Sequence, residues 1–272
     1  MIKWLFLLSG AALFYFWLKG SQLKTARKEM QSQPNSKTRA KISVPEVMVQ
    51  CQCCKVHLPQ SEAISREDRF YCSKEHINQL DEQGWLGNAT WRFSPNYDLR
   101  PNKETPELVV LHHISLPPGE FRMRPCTHFI VDFFQNKLDP SVHAYFREIA
   151  DQKVSSHFLI SRSGEIFQFV STQKKAWHAG VSSFLGREKC NDFSIGIELE
   201  GDGECEFEEN QYEALQILIA QLSTQYPNLQ FAGHSDIAPY RKTDPGVQFD
   251  WKKFQKKSGL SVEKFPYGLN SR

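Results

Sequence analysis

The stretch Gly233-His234-Ser235-Asp236-Ile237-Ala238-Pro239-Tyr240-Arg241-Lys242-Thr243-Asp244-Pro245-Gly246 brings an imidazole, an ammonium and a carboxylate together in loop-like sequence. Asp244 precedes a proline and is biased towards extended backbone, where residues two apart point the same way. Lys242 and Asp244 are therefore expected to face one point. A metal-binding carboxylate beside a lysine suits attack of water on a carbonyl, because the metal activates the water and the cation receives the oxyanion. The competing reading is a surface turn with an incidental ion pair. His234 and Asp244 alone do not decide between the two.

A second group of chemical residues lies far upstream. Cys51 and Cys54 form a C-x2-C pair, and Cys72 and His76 a C-x3-H pair. Together they supply the four ligands of a closed structural zinc site, and a module this short needs a metal because its own core is negligible. Cys53 is the spare, with an exchange between it and its neighbours left open. Free thiols in a loose segment are the alternative. Cys126, Cys190 and Cys205 stand singly, which is a poor disulfide framework and suits a reducing compartment.

The elements that must position these groups follow from composition and periodicity. The chain of 272 residues is 40% hydrophobic, enough for one large domain and an appendage. A net charge of +2, from 33 basic and 31 acidic residues, argues against a nucleic-acid binder. Glu107 to Ser115 reads as a buried strand that delivers His112 at its exit, before a Pro117-Pro118-Gly119 break. Asp139-Pro140 reads as a helix start, with Tyr145, Phe146 and Ile149 facing inward. Ser155 to Ile160 and Glu165 to Val170 flank Ser163-Gly164 as a hairpin. Phe193 to Glu200 alternates: Phe193, Ile195, Ile197 and Leu199 share one face, and Ser194, Gly196, Glu198 and Glu200 the other. The small neighbours of Glu198 suggest open space above it, as a substrate floor needs. Glu209 to Tyr226 is an amphipathic helix with Tyr212, Leu215, Leu218, Ile219 and Leu222 inward, stopped by Pro227.

The N-terminal part reads differently. Trp4 to Leu18 is almost wholly apolar and bounded by Lys3 and Lys19. Though shorter than the roughly 20 residues that span a bilayer, it has aromatic residues at both ends and lysines that can snorkel. No small-x-small cleavage site follows, which disfavours a signal peptide. The basic flank from Lys19 to Lys41 predicts a cytoplasmic body by the positive-inside rule. Gly20 to Lys41 is too polar to fold and reads as a tether. The expected organisation is an anchor over 1–19, a tether over 20–46, a zinc-knuckle module over 47–80, an α/β domain over 81–258 and a tail over 259–272. Anchor, tether and knuckle together resemble a family of small bacterial membrane-anchored proteins, a resemblance that supplies no chemistry.

From Asp81 to Phe254 the chain resembles AmpD-type N-acetylmuramoyl-L-alanine amidases. The resemblance is carried by Leu111-His112-His113-Ile114-Ser115-Leu116-Pro117-Pro118-Gly119-Glu120-Phe121, Val154-Ser155-Ser156-His157-Phe158-Leu159-Ile160, Ala176-Trp177-His178-Ala179-Gly180-Val181, Cys190 to Gly201 and the His234 to Gly246 loop. It implies the amidase/peptidoglycan-recognition fold, a mixed central β-sheet flanked by helices. It also implies zinc ligands at His112, His234 and Asp244, a catalytic glutamate at Glu198 and a catalytic lysine at Lys242. Two imidazoles and one carboxylate are a catalytic zinc set, with the fourth position open. The chain departs from the family at His113, where asparagine is common, and over Arg122 to Gln135, which lacks the usual glycine-containing segment. His157, Trp177 and His178 are substrate-contact candidates beside His113. Lys153, Lys189 and Arg241 are candidates to meet an acidic stem peptide.

The expected activity is zinc-dependent cleavage of the amide between the muramyl lactyl group and L-alanine. The expected substrates are cytoplasmic 1,6-anhydromuropeptides in cell-wall recycling, met at the cytoplasmic face of the bacterial inner membrane. An outward-facing amidase acting on intact peptidoglycan and a muropeptide-binding receptor without activity are the alternatives. The receptor reading predicts a missing zinc ligand or a missing Glu/Lys pair, and neither is missing.

Overall fold

In the computed structural model, which describes residues 46–122 and 126–270, four three-residue strands come first. These are β1 (Met48–Gln50), β2 (His57–Pro59), β3 (Ile64–Arg66) and β4 (Arg69–Tyr71), followed by a single turn, α1 (Lys74–Ile77). They pair as two antiparallel hairpins, β1 with β2 and β3 with β4. The Ser73 hydroxyl caps α1, none of whose residues is buried.

The rest follows in the order β5 (Thr90–Trp91), β6 (Tyr97–Leu99), β7 (Leu108–Ile114), α2 (Thr127–Phe134), α3 (Ala144–Ile149), β8 (Phe158–Ile160), β9 (Ile166–Gln168), β10 (Lys174–Ala176), β11 (Ser183–Phe184), β12 (Arg187–Glu188), β13 (Ser194–Glu200), α4 (Glu209–Gln225), β14 (Gln230–Gly233), α5 (His234–Ile237) and α6 (Trp251–Ser258). A six-stranded sheet orders them β14-β7-β13-β8-β9-β5. β14, β7, β13 and β8 run parallel to their neighbours, and β8 meets β9 antiparallel. This is the mixed sheet expected from the sequence.

Alternation along the central strands assigns the two faces of the sheet. Val109, Leu111, Ile195, Ile197, Leu199 and Phe231 enter one apolar cluster with Tyr212, Leu215, Leu218, Ile219 and Leu222 of α4 and with Trp251 and Phe254 of α6. Each such side chain contributes about 1.5–3 kcal/mol on full burial. The other residues of the same strands, His112, Ser194, Gly196 and Glu198 among them, are thereby turned to the opposite face. A smaller cluster beyond that face joins Ile130, Phe133 and Phe134 of α2 to Phe146 and Ile149 of α3. The segment Arg122 to Gln135, atypical in sequence, thus supplies a helix with three core residues.

Three expectations are corrected. The third helix starts at Ala144, capped by the His143 ring, while Asp139 instead closes a turn by accepting from Ser141 N–H and Oγ–H. Phe193 precedes β13 with φ −127° and ψ 13°, leaves the alternation, and packs with Leu108, Val110 and Ala232 under the Arg187 guanidinium. Of the expected tail, residues 259–270 pack on the domain: Phe265 is 3% exposed in the main core, and Tyr267 packs edge-on to Phe184.

The hairpins of β1 to β4 belong to the same compact unit as the large sheet. Arg69 donates to Ala89 O at 3.0 Å and lies 3.8 Å over the Trp91 ring, while Arg66 donates to Thr90 Oγ1. The small module therefore covers the edge strand β5. The predicted anchor and tether lie outside the described residues. Among those described, no helix is long and apolar enough to cross a membrane.

Candidate active site and metal centres

Three parallel strands set the site. Glu198 on β13 is the register partner of His112 on β7, and Gly233, the last residue of β14, is the partner of Leu111. His234 therefore emerges level with His112, at the carboxyl ends of the strands, where open α/β sheets place their ligands. The 238–246 loop brings Asp244 back to them, held by Ser235 N–H donating to Asp244 O at 2.9 Å. Gly246, at φ +88°, passes so close to Gly203 that a Cβ would stand 2.6 Å from the Gly203 Cα.

His112 Nδ1 and His234 Nδ1 stand 3.0 Å apart, and Asp244 Oδ2 lies 2.8 Å from the first and 3.0 Å from the second. All three residues are buried, and their ligand atoms form a group able to hold a metal ion. The tautomer of His234 tests the fit. Its Nε2 faces the Ala179 carbonyl at 3.0 Å and must donate to it. A neutral His234 then points a lone pair at a carboxylate. Burial works against the Asp244 charge, but the adjacent His112 and His234 rings outweigh it and hold the carboxyl well below its ordinary range. Burial, then His234, pushes His112 down to about 4. Two imidazoles and a carboxylate converging on one point, with the His234 lone pair aimed at the carboxylate, are a donor set that suits a divalent cation.

Glu198 lies beside this group, 8% exposed, and its Oε2 finds no hydrogen-bond partner among the described residues. Burial and then Asp244 raise its pKa well above the ordinary value, against the opposing pull of Lys242. Its neighbour Glu200 is engaged, accepting from Thr127 Oγ–H and Arg162 N–H. A cleft of about 670 Å³ opens over His112, Glu198, His234, Lys242 and Asp244, a volume within the range of small-molecule sites. Lys242 and Asp244 both line this cleft.

The proposed contact residues divide. Trp177 and His178 line the cleft, with the Trp177 indole N–H donating to Asp98. His113 also lines it, packed on Gly203 and outside the ligand group. His157 does not reach it. Its ring is fully buried, accepts from Gly196 N–H at Nδ1 and faces Lys174 O with Nε2. Arg241 lines the cleft but spends its guanidinium on Ala179 O and Val181 O. Lys189 is exposed on a separate depression with Val181 and Pro239, and Lys153 is exposed outside the cleft lining. The open floor expected beside Glu198 is filled: a Cβ on Gly196 would stand 2.5 Å from the His178 ring.

Sequence reasoning missed Arg100, a buried guanidinium that donates to the carbonyls of Asp192, Ser194 and Thr172 and so ties the start of β13 to the loop at Thr172 behind the site. It also missed Asp202 and Glu204 on the cleft wall. An arginine that satisfies only carbonyls has no charged partner in the sequence to reveal it.

The upstream cluster assembles as well. Cys51, Cys54, Cys72 and His76 form a second group able to hold a metal, with Cys72 Sγ 3.0 Å from His76 Nδ1 and 3.7 Å from Cys54 Sγ. Two sulfurs in a tetrahedron of 2.3 Å bonds stand about 3.8 Å apart. Burial raises the Cys51 thiol, but backbone N–H groups of Cys54, Cys72 and Cys53 outweigh it and hold the pKa at about 6. Cys53 turns away to Gln79 and is the spare.

Ligands at the ends of parallel strands, an unpartnered acid beside them and a cleft above define a hydrolytic site of the metal-activated class. The chain matches the model of the N-acetylmuramoyl-L-alanine amidase family over residues 102–247. It is 52% identical over 178 residues to the 1,6-anhydro-N-acetylmuramyl-L-alanine amidase AmpD of Escherichia coli K12, covering 65% of this chain and 95% of that protein. The AmpD of Haemophilus influenzae is 49% identical over 176 residues, covering 64% and 94%. A crystal structure of a selenomethionine AmpD derivative superposes with a TM-score of 0.62 at 49% identity, covering 66% of this chain and 98% of that one. The chain belongs to the N-acetylmuramoyl-L-alanine amidase family.

The buried position of His157 generates a prediction. His157→Ala orphans Gly196 N–H and Lys174 O and leaves a cavity, so stability should fall by roughly 2–5 kcal/mol. Urea denaturation measures this; an unchanged midpoint with a raised KM would instead mark His157 as a substrate contact.

Proposed function

We propose that this amidase cleaves the bond between the lactyl group of 1,6-anhydro-N-acetylmuramic acid and L-alanine in soluble muropeptides, in cell-wall recycling. The observation that carries the mechanism is the buried Glu198 with its unpartnered Oε2, level with His112 and facing the cleft. His112, His234 and Asp244 are the residues that would hold zinc, which would supply Lewis acidity there. Glu198 takes the proton of the attacking water, since burial and Asp244 raise its affinity for a proton. Lys242, on the cleft rim, stabilises the oxyanion that develops on the scissile carbonyl. The same Glu198 can then return its proton to the leaving amine. A complete set of ligands, base and cation favours an enzyme over a muropeptide receptor. The anhydro substrate is supported by the names and near-complete coverage of the AmpD relatives.

Glu198→Ala should keep the catalytic metal while turnover of anhydromuramyl-tripeptide drops roughly 10²- to 10⁴-fold, the usual worth of a general base. Mass spectrometry of the released peptide reads this, and a wild-type rate would remove Glu198 from the mechanism.

The Cys51, Cys54, Cys72 and His76 group is assigned a structural zinc, because its four ligands close the coordination sphere. Elemental analysis of the full chain should give two zinc ions, and Cys72→Ser and Asp244→Ala should each lose one. Unchanged content in the cysteine variant would end this assignment.

Location follows from the basic flank downstream of the apolar segment, which argues for a membrane anchor with the amidase on the cytoplasmic side. There the enzyme meets imported turnover fragments. A reporter fused after Arg272 should be active only in its cytoplasmic form; periplasmic reporter activity would favour the outward-facing amidase.

A further inference from the structure

The two imidazoles of the His112, His234 and Asp244 group are oriented from behind by consecutive residues of one loop. Ala179 O accepts from His234 Nε2–H, and the preceding side chain, His178, places Nδ1 2.9 Å from His112 Nε2. On its far side His178 Nε2 lies 3.1 Å from Ser194 Oγ. The loop is pinned where this matters, because the Asn191 side-chain oxygen accepts from both His178 N–H and Ala179 N–H.

β13 is shaped to receive the ring. Ser194, Gly196 and Glu198 share one face of the strand by its period of two. Ser194 meets Nε2, Glu198 stands level with His112, and Gly196 lies beneath the ring with no room for a Cβ. The absence of a side chain at 196 thus has a specific consequence, a flat seat for an imidazole. Behind it lies the fully buried His157, whose ring centroid stands 5.8 Å from that of His178.

We propose that His178 and Ser194 are a positioning pair that holds the His112 ring in one orientation with its proton on either nitrogen. In one polarity His112 Nε2–H donates to His178 Nδ1 and His178 Nε2–H donates to Ser194 Oγ, so that His112 offers a bare Nδ1 to a divalent cation. In the reverse polarity Ser194 Oγ–H donates to His178 Nε2, His178 Nδ1–H donates to His112 Nε2, and His112 Nδ1–H donates to Asp244 Oδ2 at 2.8 Å. Each of the three groups holds one proton in both arrangements. The hydroxyl of Ser194 permits the exchange, since it can both donate and accept. The pair therefore holds the ring in one orientation whether or not the cation is bound. This inference rests on the reading of His112, His234 and Asp244 as a metal site.

The test uses cobalt(II) as the probe in the full chain. Its absorption separates a nitrogen- and oxygen-ligated site from the thiolate-ligated Cys/His site, which alone adds sulfur charge-transfer bands. Partners behind a ligating histidine are commonly worth roughly 10- to 100-fold in metal affinity. His178→Phe should weaken cobalt at the His/Asp site by that factor and leave the thiolate bands unchanged. His178→Gln, whose amide oxygen can accept from His112 Nε2–H, should recover part of the loss. Ser194→Ala should weaken the same site, and it decides the matter if the phenylalanine variant does not fold. Wild-type cobalt affinity in folded His178→Phe or in Ser194→Ala overturns the proposal. Asp244→Ala is the separate arm: if it retains the non-thiolate bands, the metal-site reading itself falls, independently of His178.

Discussion

The parallel register of β14, β7 and β13 is the constraint on which the site depends. Neighbouring strands stand about 4.7–4.9 Å apart, so pairing Glu198 with His112 and Gly233 with Leu111 places an acid and two imidazoles side by side before any loop contributes. A slip of one residue in β7 would turn His112 into the core and present His113 in its place. What prevents the slip is packing. Val109, Leu111, Ile195, Ile197 and Leu199 are wholly buried against α4 and α6, and their alternation with the polar residues admits one register.

That packing supports a set of groups that are individually unfavourable. Two imidazoles and two carboxylates lie buried within one small volume, and one carboxylate oxygen has no partner among the described residues. Buried polar groups left unpaired cost about 1–3 kcal/mol each. Such costs persist where a substrate or a metal later satisfies the group, and sites of function are where a fold departs from its own rules. Close by, Arg100, His157 and Glu200 are fully engaged. These satisfied groups lie behind the site, while Glu198, with its unpaired oxygen, lines the cleft.

The hairpins upstream contribute at a different place. β5 is a two-residue edge strand, and an open edge exposes unpaired backbone groups. Arg66 and Arg69 of the small module bind that edge through Thr90, Ala89 and Trp91. The module has few buried residues of its own, and beside its Cys/His cluster this contact ties it to the sheet. Its chemistry is remote from the cleft, which none of its residues lines.

By itself the sequence determined the strands and helices with clear periodicity, and it brought forward His112, Glu198, His234, Lys242 and Asp244 as candidates through their resemblance to family motifs and Cys51, Cys54, Cys72 and His76 as candidates through their spacing. These were legible because alternation, ligand type and spacing are local properties of a chain. Tertiary structure alone decided what each remaining polar residue does. His157 and His178 are both histidines in similar sequence surroundings, yet one closes backbone hydrogen bonds in the interior and the other stands behind a candidate metal ligand. Arg241 is bound to the 179–181 loop and Lys189 faces another depression, although both read alike as loop cations. Phe265, in a segment without periodicity, enters the core because α6 returns the chain across the sheet. The partner of a side chain is fixed by which strands and loops come to lie beside it, and residues far apart in sequence carry no local trace of that meeting.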